Sequence, residues 1–338
     1  MEEIRKKGEA NPGTLLDTLY LGGGTPSVLT HSHLERITET IGRYYTFREQ
    51  PEWTLECNPD DLDIKTLNKL QEIGFNRLSI GIQSFHERDL DIMRRSHTSE
   101  QAEKSVRLAA SSGFRNISID LIYGVPGQTI SQWEENIDRA LDLPISHLSA
   151  YHLTFEPGTV FDHWRKKGRL EQVHEDASVN QYRILRKKLI NAGFMHYELS
   201  NFSKGYQVSE HNMLYWSGNP YLGFGPSAHS FDGEGRSWNI SSLKEYMERI
   251  ASGKETSQEE HLSNSEKYHD YLITSLRTTK GADPAFMESA YGLKFREHFE
   301  KKARPFLEKG NMIATEGRVI IDPEGWLITD HILRALFI

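Results

Sequence analysis

Cysteine is nearly absent: the 338 residues hold one, Cys57. A single thiol excludes an internal disulfide framework, and it excludes any cluster or zinc site built only from this chain's thiolates. No apolar run is long enough to span a bilayer, and the opening residues do not read as a signal peptide. A cytoplasmic protein, not integral to a membrane, is therefore expected. Positive charge is not in excess either. Lys plus Arg number 40 against 48 Asp plus Glu, a net charge of −8, so no nucleic acid partner is expected. What the chain does have is 37% hydrophobic and 10% aromatic residues, a globular composition. Its length suits one large domain and a small one.

Short apolar runs recur near 18–21, 53–57, 77–82, 117–122 and 147–153, with amphipathic stretches between them. Leu34, Ile37 and Ile41 share one helical face; Leu67, Leu70 and Ile73 share another, with Gly74 as the stop. Thr98 and Gln101 stand in capping-box spacing before Ala102, Val106 and Ala109, as do Ser131 and Glu134 around Trp133 and Ile137. Strand and helix alternating at this spacing predict right-handed βαβ units and a parallel sheet.

Strand parity separates a barrel from a doubly wound sheet, whose strands read as continuous apolar runs. Leu78, Ile80 and Ile82 oppose Ser79, Gly81 and Gln83; Ile117, Ile119 and Leu121 oppose Ser118 and Asp120; Trp53, Leu55 and Cys57 oppose Thr54 and Glu56. One face is apolar and suits a cover of helices. The other is small or polar and suits an interior site. Glu56, Gln83 and Asp120 lie late in their strands, where barrel chemistry sits. The plainer assignment, polar groups satisfying one another in a core, would need a partner for each.

Three regions follow from these textures. Residues 1–200 read as a partial barrel. Residues 201–262, rich in Gly, Asn, Ser and aromatics, read as an irregular wrapping segment. Residues 263–338 read as a helical module with a β-wing, its strands expected at Val319–Ile321 and Trp326–Ile328 around Asp322–Gly325. The fold class is thus α/β, a partial TIM-like (β/α) barrel with a small winged-helix-like module.

Gly22, Gly23, Gly24, Thr25 and Pro26 follow the first run. The glycines allow close backbone approach to a ligand, but no Lys or Ser/Thr stands at phosphate-loop spacing. Gly223–Ala228 carries the letters of a dinucleotide fingerprint, yet Pro226 interrupts it and no strong strand–helix pair flanks it. His211-Asn-Met-Leu-Tyr215-Trp216 sets an imidazole beside two large aromatics. Residue chemistry alone allows two assignments: a buried aromatic cluster, or a cradle for a flat macrocycle such as heme.

Gly22–Pro26, Glu56–Pro59, Asn76–Phe85 and Asp120–Thr129, in that order, resemble the radical S-adenosylmethionine (SAM) proteins of the oxygen-independent coproporphyrinogen III oxidase group. His211–Trp216, followed by Tyr221–Gly223 and Gly225–His229, resembles its heme chaperone branch. The resemblance runs from about residue 15 to the C-terminus. It implies a radical SAM barrel that binds S-adenosyl-L-methionine through Gly23, Gly24, Thr25, Glu56, Gln83, Arg95 and Asp120. Arg95 offers a fork for the cofactor carboxylate. Glu56, Asp120 and Gln83 suit its ammonium and ribose hydroxyls. His211, Tyr215 and Trp216 become heme candidates, and the implied partners are heme and heme-acceptor proteins.

The resemblance also implies a [4Fe–4S] cluster on a CxxxCxxC loop upstream of Gly22, and six βα units. Residues 1–15 hold no cysteine, and five units are read here, the first strand being the missing one. A truncated start, a misassigned first Met and a clusterless relative are the three expectations this leaves, and radical generation by this chain is open. Three functions follow: a heme chaperone, an oxygen-independent coproporphyrinogen III oxidase of porphyrin biosynthesis, or a clusterless scaffold.

Overall fold

The computed structural model describes residues 1–338. In chain order its elements begin with α1 (Glu2–Ala10), β1 (Leu15–Leu21), α2 (His31–Tyr44), β2 (Thr46–Cys57), α3 (Ile64–Ile73), β3 (Arg77–Gln83), α4 (Glu87–Ile92) and α5 (Ser99–Ser111). There follow β4 (Asn116–Tyr123), α6 (Ile130–Leu141), β5 (His147–His152), α7 (Val160–Lys166), α8 (Glu175–Asn191), β6 (Phe194–Glu198) and β7 (Asn201–Lys204). The remainder is α9 (Glu210–Trp216), β8 (His229–Phe231), β9 (Gly235–Asn239), α10 (Leu243–Ala251), β10 (Ser257–His261), α11 (Asn264–Leu276), α12 (Pro284–Tyr291), α13 (Leu293–Glu308), β11 (Met312–Thr315), β12 (Arg318–Ile321) and α14 (Thr329–Leu336).

Two compact units result. One comprises Leu16–Thr38 and Phe47–Val208; the other comprises Met1–Leu15, Glu39–Thr46 and Ser209–Ile338. The first is a curled sheet of order β1-β2-β3-β4-β5-β7-β6, a half-barrel. Strands β2 to β5 pair in parallel, and β5–β7 and β7–β6 pair antiparallel. Leu55, Leu78, Ile80, Ile119 and Leu148 face the helices, where they pack with Leu67, Val106, Trp133, Ile137 and Leu189. Each such side chain taken out of water stabilises the unit by roughly 1.5–3 kcal/mol. Gly74 takes the left-handed cap position after α3, and Thr98 with Gln101 forms the capping box of α5. The box of α6 is Thr129 with Gln132, two residues before the expected Ser131 and Glu134. Both pairs satisfy the same pattern, which is why the sequence alone misplaces it.

The other sheet face carries polar side chains, not the branched apolar layers that fill many barrels. Glu56 stands in register with Ser79, and Asp120 with Ser149. Deeper in, Arg77 and Glu52 form a buried ion pair at 3.7 Å. His147 bridges the Ser118 and Tyr197 hydroxyls, each at 2.7 Å.

In the second unit, α1 is tied down by Glu3. Its buried carboxylate accepts from Asn239 Nδ2 at 2.7 Å, from the Gly225 N–H at 2.8 Å and from the Tyr246 hydroxyl, and it pairs with Lys7 at 2.9 Å. Burial alone would raise the Glu3 carboxyl; the hydrogen bonds and Lys7 outweigh it and hold it below the usual range.

The stretch 201–262 is not irregular. It supplies β7 to the large sheet, then α9, α10 and a separate antiparallel sheet of order β10-β9-β8. The strands are three to five residues long, too short for periodicity to reveal. The C-terminal wing is β11–β12, turning at Glu316 and Gly317, both with positive φ. Trp326–Ile328 is not the second wing strand. It lies in a 3₁₀ turn, with Trp326 buried and its indole N–H donating to the Leu276 carbonyl.

Candidate functional site

The first site lies on the polar face of the half-barrel, at the C-terminal ends of its strands. Glu56 is fixed from two sides: Tyr20 donates to Oε1 at 2.7 Å, and the Gly23 N–H donates to Oε2 at 3.1 Å. This approach demands glycine at 22. A Cβ there would stand 2.5 Å from the Tyr20 ring and 2.7 Å from Glu56 Oε1. Gly23 and Gly24 have positive φ and are exposed, so apart from the Gly23 N–H held by Glu56 their backbone is open to a ligand; Thr25 is half-buried beside them.

Gln83 ends β3 with φ of +67°, strained for a side chain of its size, and the β3–β4 register shifts between Ile80 and Gln83. The irregularity re-aims the Gln83 amide, which folds back over Gly81 where a Cβ would meet Nε2 at 2.7 Å. Asp120 receives the Ser79 hydroxyl at 3.4 Å and a bond from Ser149. Burial pushes its carboxyl up to about 6, and the neighbouring Glu56 carboxylate adds to the rise. Arg95, between α4 and α5, is half-buried and not a surface cation. Desolvation lowers its guanidinium from the ordinary value, while Asp120 and Asp60 favour its charge.

Glu56, Asp120 and Arg95 thus share one electrostatic environment, with the glycine turn bonded to Glu56 and Gln83 ending β3 between β2 and β4. Two carboxylates, a guanidinium, an amide and free backbone groups suit a zwitterionic amino-acid head with a hydroxylated sugar. Sequence reasoning missed Tyr20, which lies on the same parity as Gly22, and gave Ser79 and Ser149 no site role. The residues present do not fit an iron–sulfur cluster. Cys57 is buried under the helices, its thiol pushed far up by burial, and no set of three or more His, Cys, Asp or Glu is placed to hold a metal.

The second site belongs to the other unit. His211 meets the Tyr215 ring edge-on at 5.1 Å, Tyr215 lies 4.3 Å from Tyr221, and Arg277 covers Trp216 at 4.5 Å. Helix α9 therefore does gather the three heme candidates, all half-buried. Tyr215 and Trp216 line a cavity of about 1000 Å³, but His211 does not; Tyr221, Phe231, Tyr271 and Phe286 add aromatic surface. That volume is at the upper end of small-molecule sites. Gly223–Ala228 is no dinucleotide turn. A Cβ at Gly223 would stand 2.1 Å from the His229 carbonyl, so glycine there lets the segment pack on β8.

Residues 1–140 match the radical SAM superfamily, and residues 262–328 match the HemN C-terminal domain. A heme chaperone HemW of Bacillus subtilis is 34% identical over 98% of this chain and 87% of its own length. One from Synechocystis is 31% identical over 98% of this chain and 85% of its own. Among solved structures, the radical SAM coproporphyrinogen III oxidase HemN of Escherichia coli superposes with a TM-score of 0.85 at 23% identity, over 99% of this chain and 81% of its own. The chain belongs to the HemW family of radical SAM proteins.

Proposed function

We propose that this protein binds heme and delivers it to acceptor proteins. The observation that carries the reading is the aromatic cavity of the second unit, walled by Tyr215 and Trp216 of the α9 motif in a chain of this family. Large aromatic faces stabilise a planar macrocycle by area and stacking. The surrounding polar groups leave the cargo exchangeable, as a carrier requires.

The half-barrel site is assigned to S-adenosylmethionine. Gly23, Gly24 and Thr25 border its methionine end, Arg95 takes the carboxylate, and Glu56, Gln83 and Asp120 serve the ammonium and ribose hydroxyls. When bound, the cofactor supplies a sulfonium whose C–S bonds are open to reductive cleavage. This chain's own residues bind and orient it.

Heme titration followed by absorbance tests the proposal. Saturable binding of one heme per chain is expected, weakened by Trp216→Ala. A Soret band that grows without saturation would refute it.

A further inference from the structure

The heme reading leaves the iron ligand unassigned, and the α9 motif points to His211. The cavity itself points elsewhere. His211 is engaged with Tyr215 and is not among the lining residues. His229, on β8, does line the cavity. It is exposed, its ring lies 6.2 Å from that of Trp238, and its ring nitrogens make no hydrogen bond. Neither ring nitrogen of His229 is committed, so either can ligate a metal from the cavity wall. The tyrosines of the wall are poorer ligands. Burial pushes Tyr215 and Tyr291 up to about 12, so both stay protonated at neutral pH.

The charges on the cavity wall are unequal. Its three carboxylates are all taken: Glu234 by Lys267, Asp270 by Arg236, and Asp283 by Arg318 at 3.3 Å. Lys280 is the lining cation left over, exposed and without an ion-pair partner. A cavity with one surplus cation, in a chain of net charge −8, favours an anionic guest.

We infer that heme in this cavity is ligated through its iron by His229 and held through a carboxylate side group by Lys280, with His211 acting as a positioning residue that fixes the Tyr215 ring. This inference rests on the heme-binding reading. It assigns the two ends of the ligand that the aromatic walls alone leave free: the metal and the propionates.

Ferric heme is titrated into the full chain, with absorbance and electron paramagnetic resonance as readouts and circular dichroism as the fold control. His229→Ala should shift the Soret band, remove the signature of the histidine-ligated iron and weaken binding by about tenfold or more. Added imidazole should restore the band. His211→Ala should keep that signature and weaken binding only a few-fold. Lys280→Gln should weaken heme by about threefold yet leave heme dimethyl ester unaffected. A wild-type spectrum and affinity in His229→Ala would overturn the inference, and loss of the signature in His211→Ala would place the ligand there. Equal losses for heme and its diester in Lys280→Gln would overturn the carboxylate contact. If the unsubstituted chain binds no heme, the heme reading falls and this inference with it.

Discussion

Tyr20 donates its phenolic hydrogen to Glu56 Oε1 across 2.7 Å, joining β1 to β2 at the mouth of the half-barrel. The bond fixes the carboxylate while the Gly23 N–H holds its second oxygen. Tyr20→Phe frees one oxygen and should weaken S-adenosylmethionine by about threefold to tenfold. Gly22→Ala drives a methyl into both partners and should cost more. Isothermal calorimetry checks both; unaltered affinity in Gly22→Ala would show that Glu56 does not hold the cofactor.

Asp120 supplies a pH dependence. Its carboxyl is raised to about 6, mainly by burial, so it is neutral below that pH and ionised above it. S-adenosylmethionine affinity should therefore fall as pH drops from 7 to 5, and Asp120→Asn should flatten the profile. The stability effect has the opposite sense. The folded form holds its proton more tightly than the unfolded chain, so this residue's contribution is full below about 4 and is lost as pH rises through 6. Asp120→Asn should raise the melting temperature more at pH 8 than at pH 5.

Buried histidines set the acid limit. His196 stacks on Phe202 at 4.0 Å, and desolvation lowers its imidazole to about 3; His147 is lowered well below its usual value by the same cause. Each is neutral when folded and takes a proton when unfolded below about 6.5. Stability present at pH 7 is therefore lost on acidification, by about 2 kcal/mol for His196 at pH 5 and in the same direction for His147. Urea unfolding between pH 7 and 5 measures it, and His196→Phe should reduce the slope. An unchanged slope would mean His196 does not contribute.

Glu3 anchors α1 within the second unit through Asn239, Gly225, Tyr246 and Lys7. Glu3→Ala leaves those donors facing an apolar methyl and should destabilise the unit by about 3 kcal/mol. Hydrogen exchange should show α1 opening first. Equal protection of α1 in variant and wild type would contradict the anchor.

Much of the half-barrel was legible because its strands alternate strictly. The parity of Leu78 against Ser79, and of Ile119 against Asp120, separates core from site before any coordinate is known. Glu56, Gln83 and Asp120 emerge from that parity. Arg95 does not, since it lies between helices, and only the family resemblance picks it out. Tyr20 was readable in principle, being two residues from Gly22 on the same face, but tyrosine in a strand reads first as packing. The second unit was less legible. Its strands are too short for a period, and its cavity is assembled from α9, β8, α11, α12 and β12, far apart in the chain. His229 closes the Gly225–His229 motif of the resemblance but is flanked by small residues, whereas His211 stands in a conspicuous aromatic motif. The wing slipped because Glu316-Gly317 is a less familiar hairpin turn than the Asp-Pro-Glu-Gly run that follows.

Heme transfer tests the central claim most directly. The chain is loaded with one heme, mixed with an apo-acceptor hemoprotein, and followed by stopped-flow absorbance. Direct handover predicts a transfer rate that rises with acceptor concentration and exceeds spontaneous heme dissociation measured with a passive scavenger. A rate equal to that dissociation, at every acceptor concentration, would contradict a chaperone and leave only a heme-binding protein.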